Sequence, residues 1–240
     1  MLYNRVLIKM SGEALANTET KEILSHAKLA KMAQQVKDLH ANGLQIAVVV
    51  GAGNIFRGKL AGKLGIERAS ADYMGMLGTI INAVALQSIL GEYGMEARVM
   101  SSIEVKAVSE PYIQKRAIRH LEKGVVVILA GGTGNPYFTT DTTASLRAME
   151  LDVDAILMAK NGVDGVYDSD PTKNKKAKFI KTLTFQDVID QDLKVMDQTA
   201  VTLLQNNDAI IIHVFDMDQE NVFINLVNGK QIGTIIKKGK

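Results

Sequence analysis

Six short runs rich in β-branched and other apolar residues punctuate the chain: RVLIKM (5–10), LQIAVVV (44–50), EARVMS (96–101), VVVILA (125–130), DAILMA (154–159) and AIIIHVF (209–215). Stretches of helical period separate them, so strands are expected to alternate with helices. Between the first two runs, Leu29, Met32, Ala33, Val36 and Leu39 recur at helical spacing, and Gly43 supplies a stop. A second helix, expected over residues 70–93, carries Met74, Leu77, Ile81, Val84 and Leu90 towards a core. A strand with one wet face would alternate apolar and polar residues. These runs are apolar almost throughout, which points to a parallel sheet covered by helices on both faces. With 240 residues and 47% hydrophobic content the chain can bury one large core, and no internal repeat or flexible linker divides it.

Composition excludes several classes. Lysine and arginine number 28 against 26 aspartates and glutamates, a formal charge of +2 without the one-sided balance of a dedicated nucleic-acid binder. No cysteine is present, so disulfides, thiolate metal sites and cysteine nucleophiles are ruled out. His26, His40, His120 and His213 are scattered and form no i, i+4 zinc-binding pair. The N-terminal MLYNRVLIKM lacks a signal peptide's apolar stretch, and no apolar run approaches the roughly 18 residues of a membrane span. A soluble, cytoplasmic protein with neither membrane nor nucleic-acid partner is the expectation. Residues 168–178, DSDPTKNKKAK, read as a solvated loop or hairpin, because no aromatic residue interleaves with the lysines.

In open parallel sheets, ligands bind beyond the carboxyl ends of strands. Here those ends are rich in glycine. Lys9-Met10-Ser11-Gly12 follows the first strand, Gly51-Ala52-Gly53-Asn54 with Arg57 follows the second, and GGTGNPYFTTD (131–141) follows VVVILA. Glycine lets backbone N–H groups approach an anion closely, and Thr139, Thr140 or Asp141 can open a helix whose N-terminus attracts negative charge. Three such loops on one sheet edge suit phosphates. Neither a G-x-x-x-x-G-K-[ST] loop nor a strand-linked G-x-G-x-x-G fingerprint is present, which disfavours an ordinary P-loop NTPase or dinucleotide dehydrogenase.

Six blocks in one order, KMSGEAL (9–15), GAGNIFRG (51–58), ADYMGM (71–76), GTGNPYFTTD (132–141), KNGVDGVYDSDP (160–171) and LKVMD (193–197), resemble the bacterial uridylate kinases of the amino-acid-kinase superfamily. The likeness spans essentially the whole chain, and its most specific element runs from Thr133 to Asp141. It implies an α/β fold: a three-layer α/β/α sandwich around a mainly parallel sheet. Residues 1–240 then form one domain, with an acceptor-binding part over roughly 1–150 and an ATP-binding part over roughly 151–240. The implied reaction moves the γ-phosphoryl of MgATP to UMP, giving UDP and ADP, in pyrimidine nucleotide biosynthesis.

The resemblance also assigns residues. Lys9 and Asp141 take the catalytic positions, and Lys9, Met10, Ser11, Gly12, Gly53, Arg57, Asn161, Tyr167 and Asp170 the ATP-binding ones, although Met10 also suits core packing. Ala52, Arg57, Asp72, Thr133, Gly134, Asn135, Pro136, Tyr137, Phe138, Thr139 and Thr140 match the UMP site. The chemistry fits these types. A cation and fixed N–H donors stabilise charge on a moving phosphoryl group, and a guanidinium fork holds a phosphate. Asp141 is implied to orient the lysine and a magnesium-bound water. Magnesium itself arrives mainly on the ATP phosphates, with no protein metal site. Asp197 in KVMD is implied to have a structural or supporting role.

Two departures bear on this. Ala52 stands where the family usually has a glycine, which requires either a negative φ there or an altered phosphate loop. Residues 13–26 contain no glycine, and ALQSILGEYG (85–94) has neither lysine nor arginine, so the GTP effector site implied for some relatives is expected to be weak. UTP is expected to inhibit at the active site, and a homohexamer is implied. Competing readings are a superfamily kinase for a carboxylate, carbamate or isopentenyl phosphate acceptor, and a non-catalytic nucleotide-binding regulator.

Overall fold

A computed structural model describes residues 1–239. All six expected strands form, as β1 (Arg5–Met10), β2 (Gln45–Val50), β3 (Ala97–Ser101), β5 (Val126–Ala130), β6 (Ala155–Lys160) and β10 (Ile211–Asp216). Shorter strands join them: β4 (Glu110–Pro111), β9 (Thr182–Thr184) and β11 (Thr234–Lys237). Among the described residues these nine make one sheet in the order β4-β3-β5-β2-β1-β6-β10-β11-β9. Every pairing in it is parallel except β10 with β11. The 168–178 loop is the tip of an antiparallel hairpin between β7 (Val166–Tyr167) and β8 (Phe179–Ile180).

Helices cover both faces. One side carries α1 (His26–Ala41), α3 (Arg68–Glu92) and α8 (Val222–Val227) over Val6, Ile8 and Met10 of β1. On the other, α4 (Gln114–Glu122), α5 (Thr140–Glu150), α6 (Phe185–Asp190) and α7 (Gln198–Leu204) pack over Leu7. A short helix, α2 (Gly58–Leu64), precedes α3. The period of two along β1 therefore decides where Lys9 points: it shares the face of Leu7, towards α5. The order reverses at β1, since β2 and its successors lie on one side and β6 and its successors on the other. A crevice at the carboxyl end of β1 follows from that reversal.

Helix α3 corrects two expectations. Met74, Leu77 and Ile81 face outward with Tyr73, each at least 40% exposed, while Met76, Ile80, Ala83, Leu86, Ile89 and Leu90 are buried. Both sides of this helix are apolar, so its period does not reveal which side meets the sheet. An 18-residue window of α3 also has mean hydropathy 1.5, long and apolar enough by composition to cross a membrane. Thr79 and Asn82 interrupt it, so it does not stand out in the sequence as a continuous apolar run. Half of that window is buried inside the protein, and the Asn82 amide donates to the Gly51 carbonyl at 2.7 Å.

Candidate active site

Lys9 is 8% exposed, and its ammonium pairs with the Asp141 carboxylate in the first turn of α5. Thr139 caps that helix, its hydroxyl accepting from the backbone N–H groups of Asp141 at 3.1 Å and Thr142 at 3.3 Å. An acidic residue in the first turn is favoured by the helix dipole, so α5 both forms at this point and aims a carboxylate at Lys9. A small cavity of about 230 Å³ opens here, lined by Lys9, Met10, Ser11, Gly51, Ala52, Gly53, Thr139, Thr140 and Asp141. The Met10 side chain lies in the core, as its packing reading expected. Close approach fixes Gly12: a Cβ there would fall 2.5 Å from the Gly51 carbonyl oxygen. Ala52 does not take a positive φ. Its methyl instead faces Gly78 on α3, where a Cβ would come within 2.9 Å.

The small cavity shares Ala52, Gly53, Thr139 and Thr140 with a cleft of about 310 Å³ between α3 and the 131–140 loop. Arg57, Asp72, Thr133, Asn135 and Phe138 also line this cleft, whereas Gly134, Pro136 and Tyr137 do not. Arg57 is held by Glu13 at 2.8 Å and donates to the Gly53 carbonyl at 3.2 Å. Both Asp72 oxygens accept from Arg68 Nε, at 2.9 and 2.8 Å, and one also accepts from the Tyr137 backbone N–H at 2.8 Å. Tyr137, at φ 74°, is thereby tied to α3 by its backbone while its ring stays exposed. Sequence reasoning missed Glu13 and Arg68. The i, i+4 spacing of Arg68 and Asp72 carried a signal for the second.

A third cavity, about 520 Å³, lies beyond β6 and is lined by Tyr167, Asp170, Gly165, Lys160 and the 191–195 segment. The Tyr167 hydroxyl donates to Asp164 at 2.7 Å, which raises its pKa, and the ring meets Phe179 edge-on. Asp170 accepts from the Thr172 hydroxyl and backbone N–H, which lower its pKa. Asn161 is exposed in the bend after β6 and does not line the cavity. Lys160, another residue missed from sequence, donates to the Val195 carbonyl at 2.8 Å. Burial, followed by the charge of Lys9, pushes its pKa down, and Asp141 opposes that shift. Its position at a strand end beside KNGVDG parallels that of Lys9 and was the available signal.

A buried lysine paired with a carboxylate, rimmed by glycine loops at a sheet's switch point, is equipped to hold and move phosphoryl groups. The chain belongs to the amino acid kinase family, whose sequence profile matches residues 4–216. It is 50% identical over 235 residues to the uridylate kinase of Limosilactobacillus reuteri (strain DSM 20016), covering 98% of this chain and 97% of that protein. Two solved structures superpose closely. The UMP kinase from Bacillus anthracis gives a TM-score of 0.96 at 43% identity, covering 100% of this chain and 98% of that one. The UMP kinase from Ureaplasma parvum gives 0.92 at 38%, covering 99% and 100%.

Proposed function

We propose that this chain transfers the γ-phosphoryl group of MgATP to UMP, giving UDP and ADP. The observation that carries this reading is the Lys9–Asp141 contact in the small cavity that adjoins the acceptor cleft. Likeness over nearly the full chain to a uridylate kinase and to two UMP kinase structures supports the same reading. We divide the domain as the cavities suggest, with the acceptor held by the part before about residue 150 and adenosine by the part after it.

An ionised phosphate oxygen of UMP attacks the γ-phosphorus in line while the bond to the β-phosphate oxygen breaks, so no general base is required. Lys9 and the backbone N–H groups near Ser11, Gly12 and Gly53 stabilise charge on the moving group. Asp141 orients Lys9. Its carboxylate also suits a cation carried mainly by phosphates, since magnesium is commonly bound by one or two carboxylates plus substrate oxygens. Arg57 swings from Glu13 to the phosphates, and Asp72 exchanges Arg68 for the UMP ribose. The 133–140 loop reaches the base and phosphate. Tyr167 packs beside adenine, Asp170 takes ribose hydroxyls, and Asn161 closes the rim.

UTP, sharing the uridine and carrying extra phosphates, inhibits by occupying this site. The outward apolar side of α3, from Tyr73 to Ile81, supports self-association into the homohexamer that the resemblance implies. The reaction is placed in the cytoplasm, within pyrimidine nucleotide synthesis. A coupled assay with ATP, Mg²⁺ and a panel of UMP, CMP, dUMP and acetylglutamate tests the reading. UMP is expected to be preferred by about tenfold or more, the worth of one hydrogen bond to a charged partner. Equal turnover of CMP or dUMP would overturn the acceptor assignment.

A further inference from the structure

We propose that Arg147 and Ser102 form a relay that sets the acceptor loop from behind, making both of them positioning residues for UMP although neither lines a cavity of the active site. The proposal rests on the reading of the 310 Å³ cleft as the acceptor site. Arg147, on the buried side of α5, has a side chain only 6% exposed. One arm of its guanidinium donates to Glu150 at 2.5 Å, and the group lies 3.9 Å from the centre of the Tyr112 ring. Tyr112 in turn donates to the same Glu150 oxygen at 2.7 Å. The Tyr112 contacts join α5 to the segment that follows β4. The other arm does something else: it donates to the Ser102 hydroxyl at 2.8 Å.

A guanidinium has no acceptor, so the Ser102 oxygen must receive that bond and direct its own hydrogen elsewhere. It donates to the Gly132 carbonyl at 2.9 Å. A hydroxyl that accepts from a buried cation is polarised into a stronger donor. Gly132 and Gly134 hold φ of 59° and 85°, and a Cβ at Gly134 would stand 3.2 Å from the Ser102 Cβ, so the loop backbone rests directly on this serine. From the opposite side, the Thr79 hydroxyl of α3 accepts from the Gly131 N–H at 2.8 Å. The loop start is thus gripped through one N–H and one C=O, immediately before Thr133 and Asn135 enter the cleft.

Steady-state kinetics with each substrate varied in turn test the relay, alongside thermal melting. Ser102→Ala removes only the hydroxyl, and Arg147→Lys keeps the charge for Glu150 but loses the second arm. Each is expected to raise the KM for UMP about fivefold, the worth of one hydrogen bond, while the KM for ATP stays within twofold. The double variant is expected to be no worse than either single one, because both cut the same chain. A UMP KM within twofold of wild type in Ser102→Ala, whatever its Tm, would overturn the relay, as would effects that multiply in the double variant. Should Arg147→Lys fail to fold, Ser102→Ala decides alone. A wild-type protein that does not phosphorylate UMP would overturn the functional reading and the relay together. UMP turnover that is insensitive to both substitutions would overturn the relay only.

Discussion

Thr142 on α5 donates its hydroxyl to both carboxylate oxygens of Asp197, at 3.0 and 2.9 Å. The same carboxylate accepts from the Ala200 N–H at 2.9 Å, capping α7, and takes the hydroxyl of Thr139, the cap of α5. One side chain therefore ties together the first turns of two helices, and the first turn of α5 carries Asp141. Asp197→Ala is expected to lower stability by about 1–2 kcal/mol through the lost cap. It should also reduce kcat by loosening the start of α5. Urea midpoints and kcat measured together check this; a lower midpoint with unchanged kcat would reduce Asp197 to a helix cap.

Ala52 and Gly78 fit one another, since a Cβ on Gly78 would lie 2.9 Å from the Ala52 methyl. Gly78→Ala should overpack the contact and cost about 1–3 kcal/mol. Ala52→Gly in the same chain should recover most of that loss by vacating the space. Additive losses in the double variant, read from denaturant midpoints, would show that the two positions do not share one site.

His213, on β10, is buried against Tyr3, whose hydroxyl lies 2.6 Å from Nε2, and Nδ1 has no partner among the described residues. Burial pushes its pKa from 6.5 down to about 4. Between those values the unfolded chain binds the proton and the folded one does not, so stability is full above pH 6.5 and falls as the pH drops towards 4. His213→Gln should flatten the urea midpoint over that window. A wild-type midpoint that does not change between pH 7 and pH 5 would contradict the assignment.

The strands were legible from their apolar runs, whereas the side to which Lys9 points follows from the period of two only once the helices over Leu7 are known. The glycine loops were legible from their place after strands, and Gly12 is required by a backbone contact a Cβ would block. What could not be read was tertiary. The two apolar sides of α3 offer no sign of which is buried, so Leu77 and Ile81 were expected inward while Ile80 and Ala83 occupy that place. Arg57 reads as a phosphate ligand and lines the acceptor cleft, but its ion pair with Glu13, formed between segments far apart in sequence, could not be read beforehand. Ser102 and Arg147 carry no motif, and only the fold brings them behind Gly132.

Control by GTP should be weak. Arg98, a cation on β3 just beyond the end of α3, is engaged by Glu96 at 2.7 Å and approaches Glu110 at 3.6 Å. A half-exposed guanidinium already neutralised in this way contributes little to holding a hydrated triphosphate. Initial rates at sub-saturating UMP are expected to change less than about twofold on adding GTP, a shift comparable to the small energies of exposed ion pairs. A saturable, several-fold activation would contradict this.

Arg57→Ala should chiefly weaken UMP binding, raising its KM with a smaller loss in kcat, because the role proposed for it, holding the acceptor phosphate in ground and transition states alike, is uniform binding. An effect confined to the KM for ATP would mean that the two substrates are assigned to the wrong cavities.

The central claim is that Lys9 stabilises the phosphoryl group in flight between MgATP and UMP. The most direct measurement is single-turnover transfer of labelled γ-phosphate to UMP by wild type and Lys9→Met, with melting curves recorded on the same samples. The account predicts labelled UDP from wild type, and a loss of about 100-fold or more in the transfer rate of the variant, the scale of removing one transition-state donor, with Tm little changed. Transfer by Lys9→Met at close to the wild-type rate, in a protein that melts normally, would contradict it.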